Sequence, residues 1–160
     1  MNRADRRLLQ MAAVVHDVGR CIDDETHPKQ GAVMLRNAEM LPLSAAQRRA
    51  LIYLTRYHRG QVPELGADGI LRGSDDPATC LKLLAILRAA DSLDSRVIES
   101  PSIVFELDRR QLNIICCLSD LTPKALHVYG RRKKYRLLED VFQLQVAVRV
   151  VASEQLRMVA

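Results

Sequence analysis

The chain has 160 residues, of which 48% are hydrophobic, and this is enough apolar material for one domain with a small appended lobe. No apolar run is long enough to span a bilayer, and the charged N-terminus lacks the hydrophobic segment of a signal peptide. We therefore expect a cytoplasmic protein without a membrane partner. The net charge of +5 favours an anionic partner such as a nucleotide, polyphosphate or nucleic acid, without selecting among them.

The first predicted helix, residues 5–18, contains the strongly apolar stretch LLQMAAVVHDVG, which continues to Gly19. A helix that is apolar on nearly every side is typical of a buried position, so we predict that it is buried. Its last turn carries His16 and Asp17. Their partners are a metal ion, cationic side chains or each other, because burying an unpaired carboxylate is very costly.

Two further helices follow. The second begins at His27-Pro28, since proline suits the first helical turn, and directs Ala32, Val33 and Leu35 inward. The third extends from residue 45 to about 58. Ser44 is its predicted N-cap, and Gln47 completes a capping box.

Residues 61–76 contain Gly66, Gly69 and Gly73 and are predicted to form a surface loop. A fourth, strongly apolar helix spans 77–93 and carries Asp91. The four cysteines form no CxxC pair, so we predict buried, reduced thiols rather than a zinc ribbon or disulfides.

After Pro101 the hydrophobic period changes to that of strands. Strands are predicted at 103–107 and 112–116, joined by a short hairpin, and at 125–129 and 143–151, with a basic helix at 131–142. The predicted fold class is mainly α, with a helical domain over 1–98 and a small α+β lobe over 99–160.

Candidate metal ligands lie at the ends of these helices, and a packed bundle would direct them to one inward site. A mixed set of imidazoles and carboxylates suits Mn, Fe, Zn or Mg better than a thiolate-binding ion. Basic side chains near the same helices have the chemistry to neutralise phosphate oxygens. The ligands are His16, Asp17, His27, His58 and Asp91, and the basic residues are Arg56, Arg59, Lys82 and Arg88.

Three blocks, HDVG at 16–19, RYHRG at 56–60 and LRAADSLDSR at 87–96, resemble an HD-type metal-dependent phosphohydrolase domain. The tail RRKKYRLLEDVF makes the sequence most similar to the C-terminal HD-like region of exopolyphosphatases and guanosine pentaphosphate phosphatases. The resemblance implies an HD-like helical bundle and a divalent ion (Mn, Fe, Zn, Ni or Mg). It also implies ligands at His16, Asp17 and Asp91, with His58 lining the same pocket.

Two features depart from the HD pattern. HD domains normally take their first histidine ligand from an upstream helix, whereas no histidine precedes His16 here. Gln30-Gly31 stands where relatives often have His-Ser. Full-length relatives also carry an actin-like region in which their phosphatase chemistry occurs, so the chain is interpreted as a fragment or a stand-alone relative.

Two functional hypotheses follow. The first is a metal-dependent phosphohydrolase, with Asp17 and His58 at the reacting centre. The second is a non-catalytic module that binds polyphosphate or nucleotide, or forms a dimer interface, for a separate actin-like partner. In that case His16–Asp17 is a structural pair, His27 only begins a helix, and Asp91 forms a buried ion pair with an arginine.

Overall fold

The computed structural model describes residues 1–64, 67–72, 76–95 and 98–153, in two compact units, Met1–Leu87 and Arg88–Ala160. The predicted fold class is confirmed, because a helical part precedes a small α+β part. The domain division after residue 98 stays a prediction. Gly66 and Gly73, and Arg96 at the end of the third sequence block, lie outside the described residues.

Helices form the first unit and continue across its boundary with the second. They are α1 (Arg3–Val15), α2 (His27–Asn37), α3 (Ala45–Tyr57) and α4 (Pro77–Leu93), with short 3-10 helices at Val18–Cys21 and Gly69–Leu71. The predicted capping box at the start of α3 is confirmed. The Gln47 backbone N–H donates to the Ser44 hydroxyl at 3.2 Å, and the Ser44 N–H donates to the Gln47 side chain at 3.0 Å.

The central helix of the first unit is α3, in which every residue from 50 to 55 is buried. The prediction that α1 is buried is wrong, because Ala12 is its single buried residue and Val14 is 84% exposed. Val33 of α2 was also predicted to face inward and is 48% exposed. Apolar composition indicates burial only where another element packs, and α1 packs on α3 along one side.

Arg48 of α3 forms hydrogen bonds to backbone carbonyls at and just after the C-terminal end of α2. Its guanidinium donates to the backbone carbonyls of Leu35 at 3.1 Å, Ala38 at 2.5 Å, Glu39 at 3.4 Å and Leu41 at 3.1 Å. The last carbonyls of a helix have no partner within the helix, and a cation there is favoured by the helix dipole. Arg48 therefore holds α2, which carries His27 at its other end, against α3.

The second unit contains a three-stranded sheet in the order β1 (Ser102–Asp108), β2 (Gln111–Leu118) and β3 (Gln145–Ala152). β1 and β2 form the predicted antiparallel hairpin, with Asp108 opposite Gln111. β2 and β3 are parallel, which requires a crossover connection. α5 (Pro123–Tyr129), a 3-10 helix (Arg132–Tyr135) and α6 (Arg136–Phe142) form this connection.

The strand predicted at residues 125–129 is wrong, because this segment is α5. The Ala125 N–H donates to the Thr122 hydroxyl at 3.1 Å, and Pro123 occupies the first turn, which are both signals of a helix start. The predicted helix at 131–142 divides into the 3-10 helix and α6. No helix within the described ranges has the length and apolar character needed to cross a bilayer.

Candidate metal centre

Four side chains of the first unit meet at the ends of its helices. We call them the histidine cluster: His16, Asp17, His27 and His58. His16 and Asp17 follow α1 directly, His27 is the first residue of α2, and His58 is the first residue after α3. Three separate segments therefore contribute, and the side chains of His58 and His27 are only 0% and 3% exposed.

The contacts within the histidine cluster are short. Asp17 Oδ1 lies 3.1 Å from His27 Nε2 and 3.3 Å from His58 Nε2, and these two nitrogens are 3.1 Å apart. His16 Nε2 lies 3.7 Å from Asp17 Oδ2, and its ring meets that of His58 nearly edge-on, with centroids 4.9 Å apart. The Nε2 atoms of His27 and His58 thus form a compact triangle with Asp17 Oδ1.

The opposite ring nitrogen of each histidine contacts a backbone carbonyl. Nδ1 of His16 lies 2.9 Å from Ala13 O, Nδ1 of His27 lies 2.6 Å from Asp24 O, and Nδ1 of His58 lies 2.7 Å from Thr55 O. Since a carbonyl oxygen only accepts hydrogen bonds, each Nδ1 carries the proton. In the neutral ring this leaves a lone pair on every Nε2, the arrangement that backbone carbonyls impose on metal-binding histidines.

The donor set fits a divalent metal ion. Lone pairs on His27 Nε2, His58 Nε2 and Asp17 Oδ1 repel one another at 3.1–3.3 Å unless a cation or a proton lies among them. A tetrahedral ion with ligand distances of about 2.0–2.1 Å would separate its donors by about 3.3–3.4 Å, close to these spacings. Ligand atoms of His16, Asp17 and His58 also all lie within 4.8 Å of one another.

Arg20 contacts the other carboxylate oxygen of Asp17. Its Nε lies 2.8 Å from Asp17 Oδ2, and its Nη1 pairs with the carboxylate of Asp24. Partial burial on its own raises the pKa of Asp17, but the Arg20 guanidinium is the largest of the opposing causes, and the net pKa lies below the usual carboxyl value. Asp17 is therefore held in its ionised form, the form in which a carboxylate binds cations.

The predicted ligands fall in both units. His16, Asp17, His27 and His58 come together in the first unit, including His27, for which the sequence left open a role as a helix-starting residue only. Asp91 belongs to the second unit, where it is buried and its Oδ2 lies 3.6 Å from Lys134 Nζ. Lys134 is thus one cation partner of Asp91, and the role of Asp91 as a ligand stays a prediction.

Two of the predicted phosphate-binding residues line a cleft of about 520 Å³ that includes His27. They are Arg56 and Arg59, and the same cleft contains Lys29. Lys82 is exposed on α4 and lowers the pKa of nearby Asp76. Arg88 is half-buried in the second unit. Roles for Lys82 and Arg88 in binding phosphate stay predictions.

Sequence reasoning did not single out Arg20. A local signal was present, because Arg20 lies three residues after Asp17 and four before Asp24. Residues at these spacings are neighbours on a helical surface, so an arginine between two acids predicts an ion-pair bridge.

A family model described as Ppx/GppA phosphatase, domain III, matches residues 1–112, which include the whole histidine cluster. The chain belongs to the Ppx/GppA phosphatase family. This confirms the family relationship that the sequence blocks predicted. A curated Ppx/GppA relative, the guanosine-5'-triphosphate,3'-diphosphate pyrophosphatase of Vibrio atlanticus (strain LGP32), is 30% identical over 133 residues. The match covers 79% of this chain and 26% of the relative, so the chain spans about a quarter of that protein's length.

Proposed function

We propose that the histidine cluster binds one divalent metal ion, and that the first unit is an HD-type phosphohydrolase domain of the Ppx/GppA family. The observation that supports this most directly is the close approach of His27 Nε2, His58 Nε2 and Asp17 Oδ1, at 3.1–3.3 Å. Each imidazole in the cluster is oriented by a backbone carbonyl so that Nε2 faces its neighbours. This is the geometry expected of ligands prepared for a cation.

When bound, such an ion lowers the pKa of a coordinated water and polarises phosphoryl oxygens. The three imidazoles and Asp17 would hold it, so His58 and Asp17 would lie at the reacting centre. A set of three nitrogens and one oxygen favours Zn, Fe, Ni or Mn over Mg, which prefers oxygen ligands. The HD resemblance also implies Asp91 as a ligand, but Asp91 belongs to the second unit and the ligand set that we propose does not include it.

The substrate class that we propose is a phosphoester, nucleotide or polyphosphate. Arg56 and Arg59 lie in the cleft that includes His27, so their guanidinium groups are positioned to neutralise phosphate oxygens beside the cluster. The acids Asp24 and Glu25 line the same cleft and limit its net positive charge. This favours a substrate with one or a few phosphates at the site over non-specific binding of any polyanion.

Metal analysis of the chain purified without chelator tests this proposal. We expect about one transition-metal ion per chain, and its loss in His27→Ala and His58→Ala. His127→Ala is the matched control, because His127 is exposed on α5 in the second unit and should leave the metal content unchanged. A screen of phosphoesters, nucleotides and polyphosphate with each divalent ion then measures turnover. Absence of turnover with every ion would refute the enzymatic function.

A second candidate is a non-catalytic module that binds phosphate compounds or mediates dimerisation. The complete burial of the His58 side chain and the pairing of Asp17 with Arg20 favour it, because both withdraw the cluster from solvent. Exposed Phe105 and Leu107 on the edge strand β1, 59% and 69% exposed, favour an interface with a second copy or with an actin-like region. Protein free of metal that binds polyphosphate in a salt-sensitive manner would support this module.

Location in the cytoplasm stays a prediction for either function.

A further inference from the structure

The two carboxylate oxygens of Asp17 have different neighbours. Oδ1 faces two of the imidazoles, at 3.1 Å from His27 Nε2 and 3.3 Å from His58 Nε2, whereas His16 Nε2 lies 3.7 Å from Oδ2. Oδ2 lies 2.8 Å from Arg20 Nε, closer than any of these contacts. A guanidinium at this distance forms an ion pair with that oxygen, which favours the rotation of the carboxylate that keeps Oδ2 beside Arg20.

Arg20 is itself held at its other end. Its Nη1 pairs with the Asp24 carboxylate, and the backbone carbonyl of Asp24 accepts the hydrogen bond from His27 Nδ1 at 2.6 Å. The Arg20 side chain is only 21% exposed, so solvent competes weakly for it. One guanidinium therefore connects the carboxylate of Asp17 to the turn that orients the ring of His27.

We propose that Arg20 is a positioning residue that restricts Asp17 to coordination through a single oxygen. With Oδ2 occupied by Arg20, Asp17 offers Oδ1 alone to the ion. This inference rests on the proposed metal centre. Arg20 would set the coordination number of the ion by keeping Asp17 Oδ2 away from it.

The coordination number matters because a carboxylate binds a metal through one oxygen or through both. Three imidazoles and one oxygen make a four-coordinate set, which zinc and cobalt accept readily, and such a site expands to five ligands when water or a phosphate oxygen binds. A carboxylate that binds through both oxygens raises the number of oxygen ligands, as larger, oxygen-binding cations require. Arg20 therefore selects for a transition metal of low coordination number over an ion such as calcium.

Cobalt(II) tests this inference without any assay of activity, because four-coordinate cobalt absorbs visible light strongly and cobalt of higher coordination number absorbs weakly. We expect strong absorption for the wild-type chain loaded with cobalt and a several-fold loss in Arg20→Gln. Arg20→Lys keeps a cation beside Oδ2 and should retain strong absorption. Asp24→Asn loosens the other end of Arg20 and should give an intermediate spectrum.

Arg7→Gln is the matched control for charge, since Arg7 is exposed on α1 and its replacement removes the same positive charge. Its spectrum should equal that of the wild type. The wild type could absorb strongly and both Arg20→Gln and Asp24→Asn absorb equally strongly. That result would overturn the role of Arg20 but leave the metal centre intact. A wild-type chain that binds no cobalt would overturn the metal centre, and the role of Arg20 with it.

Discussion

Gly19 packs directly against Gly31, and the contact leaves no room for a side chain on Gly19. A Cβ at this position would clash with the carbonyl oxygen of His27 and lie 2.5 Å from Gly31 N. A Cβ on Gly31 would in turn lie 2.9 Å from Cγ2 of Thr55 in the last part of α3. This backbone contact draws together the three segments that carry the histidine cluster.

Gly19→Ala should therefore damage both stability and metal binding. We expect the free energy of unfolding to fall by about 1–3 kcal/mol, the usual cost of overpacking a close contact. Urea denaturation measures this change, and metal analysis should show a lower content per folded chain. Gly69→Ala is the control, because a Cβ there meets nothing within 4 Å. Equal stability of the two variants would contradict the importance of the Gly19–Gly31 contact.

Replacing Arg48 should detach the C-terminal end of α2. Arg48→Met keeps much of the apolar stem but leaves up to four carbonyls without their donor, with a loss of about 1.5–3 kcal/mol in the free energy of unfolding. Chemical denaturation followed by circular dichroism measures this loss. Arg36→Met is the control, since Arg36 is exposed on α2. Similar losses from both substitutions would show that the carbonyl contacts are unimportant.

The four cysteines should differ sharply in reactivity. Cys21 is exposed, contrary to the predicted burial of all four thiols, whereas Cys80, Cys116 and Cys117 are buried. Burial raises the pKa of Cys80, and it raises the pKa of Cys116 to about 11, so neither forms the reactive thiolate near neutral pH. We expect a thiol reagent at pH 8 to label one cysteine in the folded chain and four in urea.

Cys21→Ser provides the control for this assignment. The folded variant should show almost no labelling, while the same variant in urea should show three labelled thiols. Rapid labelling of more than one thiol in the folded wild-type chain would mean that the buried cysteines are accessible.

Asp76 should make stability depend on pH. Its carboxylate accepts the Thr79 N–H at 2.9 Å at the start of α4, and the hydroxyl and N–H of Thr79 hold the pKa of Asp76 below its usual value. The ionised form therefore stabilises the fold. Its contribution is complete above the unfolded pKa of about 3.9 and is lost as the pH falls through the lower, folded pKa.

Asp76→Asn keeps a side-chain acceptor for Thr79 but does not titrate. We expect the wild type to be more stable than this variant at pH 6, and the difference to shrink as the pH is lowered below about 4. Urea denaturation at both pH values measures the difference. The exposed residue Asp120 supplies a control substitution, Asp120→Asn. A difference that stays constant with pH would exclude this role for Asp76.

The sequence by itself determined those features that depend on atoms only a few residues apart. The Ser44–Gln47 capping box, the start of α4 at Pro77 and the hairpin between β1 and β2 were all predicted correctly. The start of α5 was also encoded locally, in Thr122-Pro123, and the strand prediction overlooked it. The three sequence blocks, together with the tail RRKKYRLLEDVF, likewise identified the Ppx/GppA family.

Only the tertiary structure decided which apolar faces are covered and which ligands meet. The composition of α1 predicted burial, but Val14 remains exposed because the described elements pack on one side of that helix. His27 joins Asp17 because Gly19 and Gly31 allow two backbones to touch, and Arg20 reaches Oδ2 through the same turn. Such contacts depend on how closely separate segments pack. The local pattern of a sequence does not contain the distance between segments that are far apart along the chain.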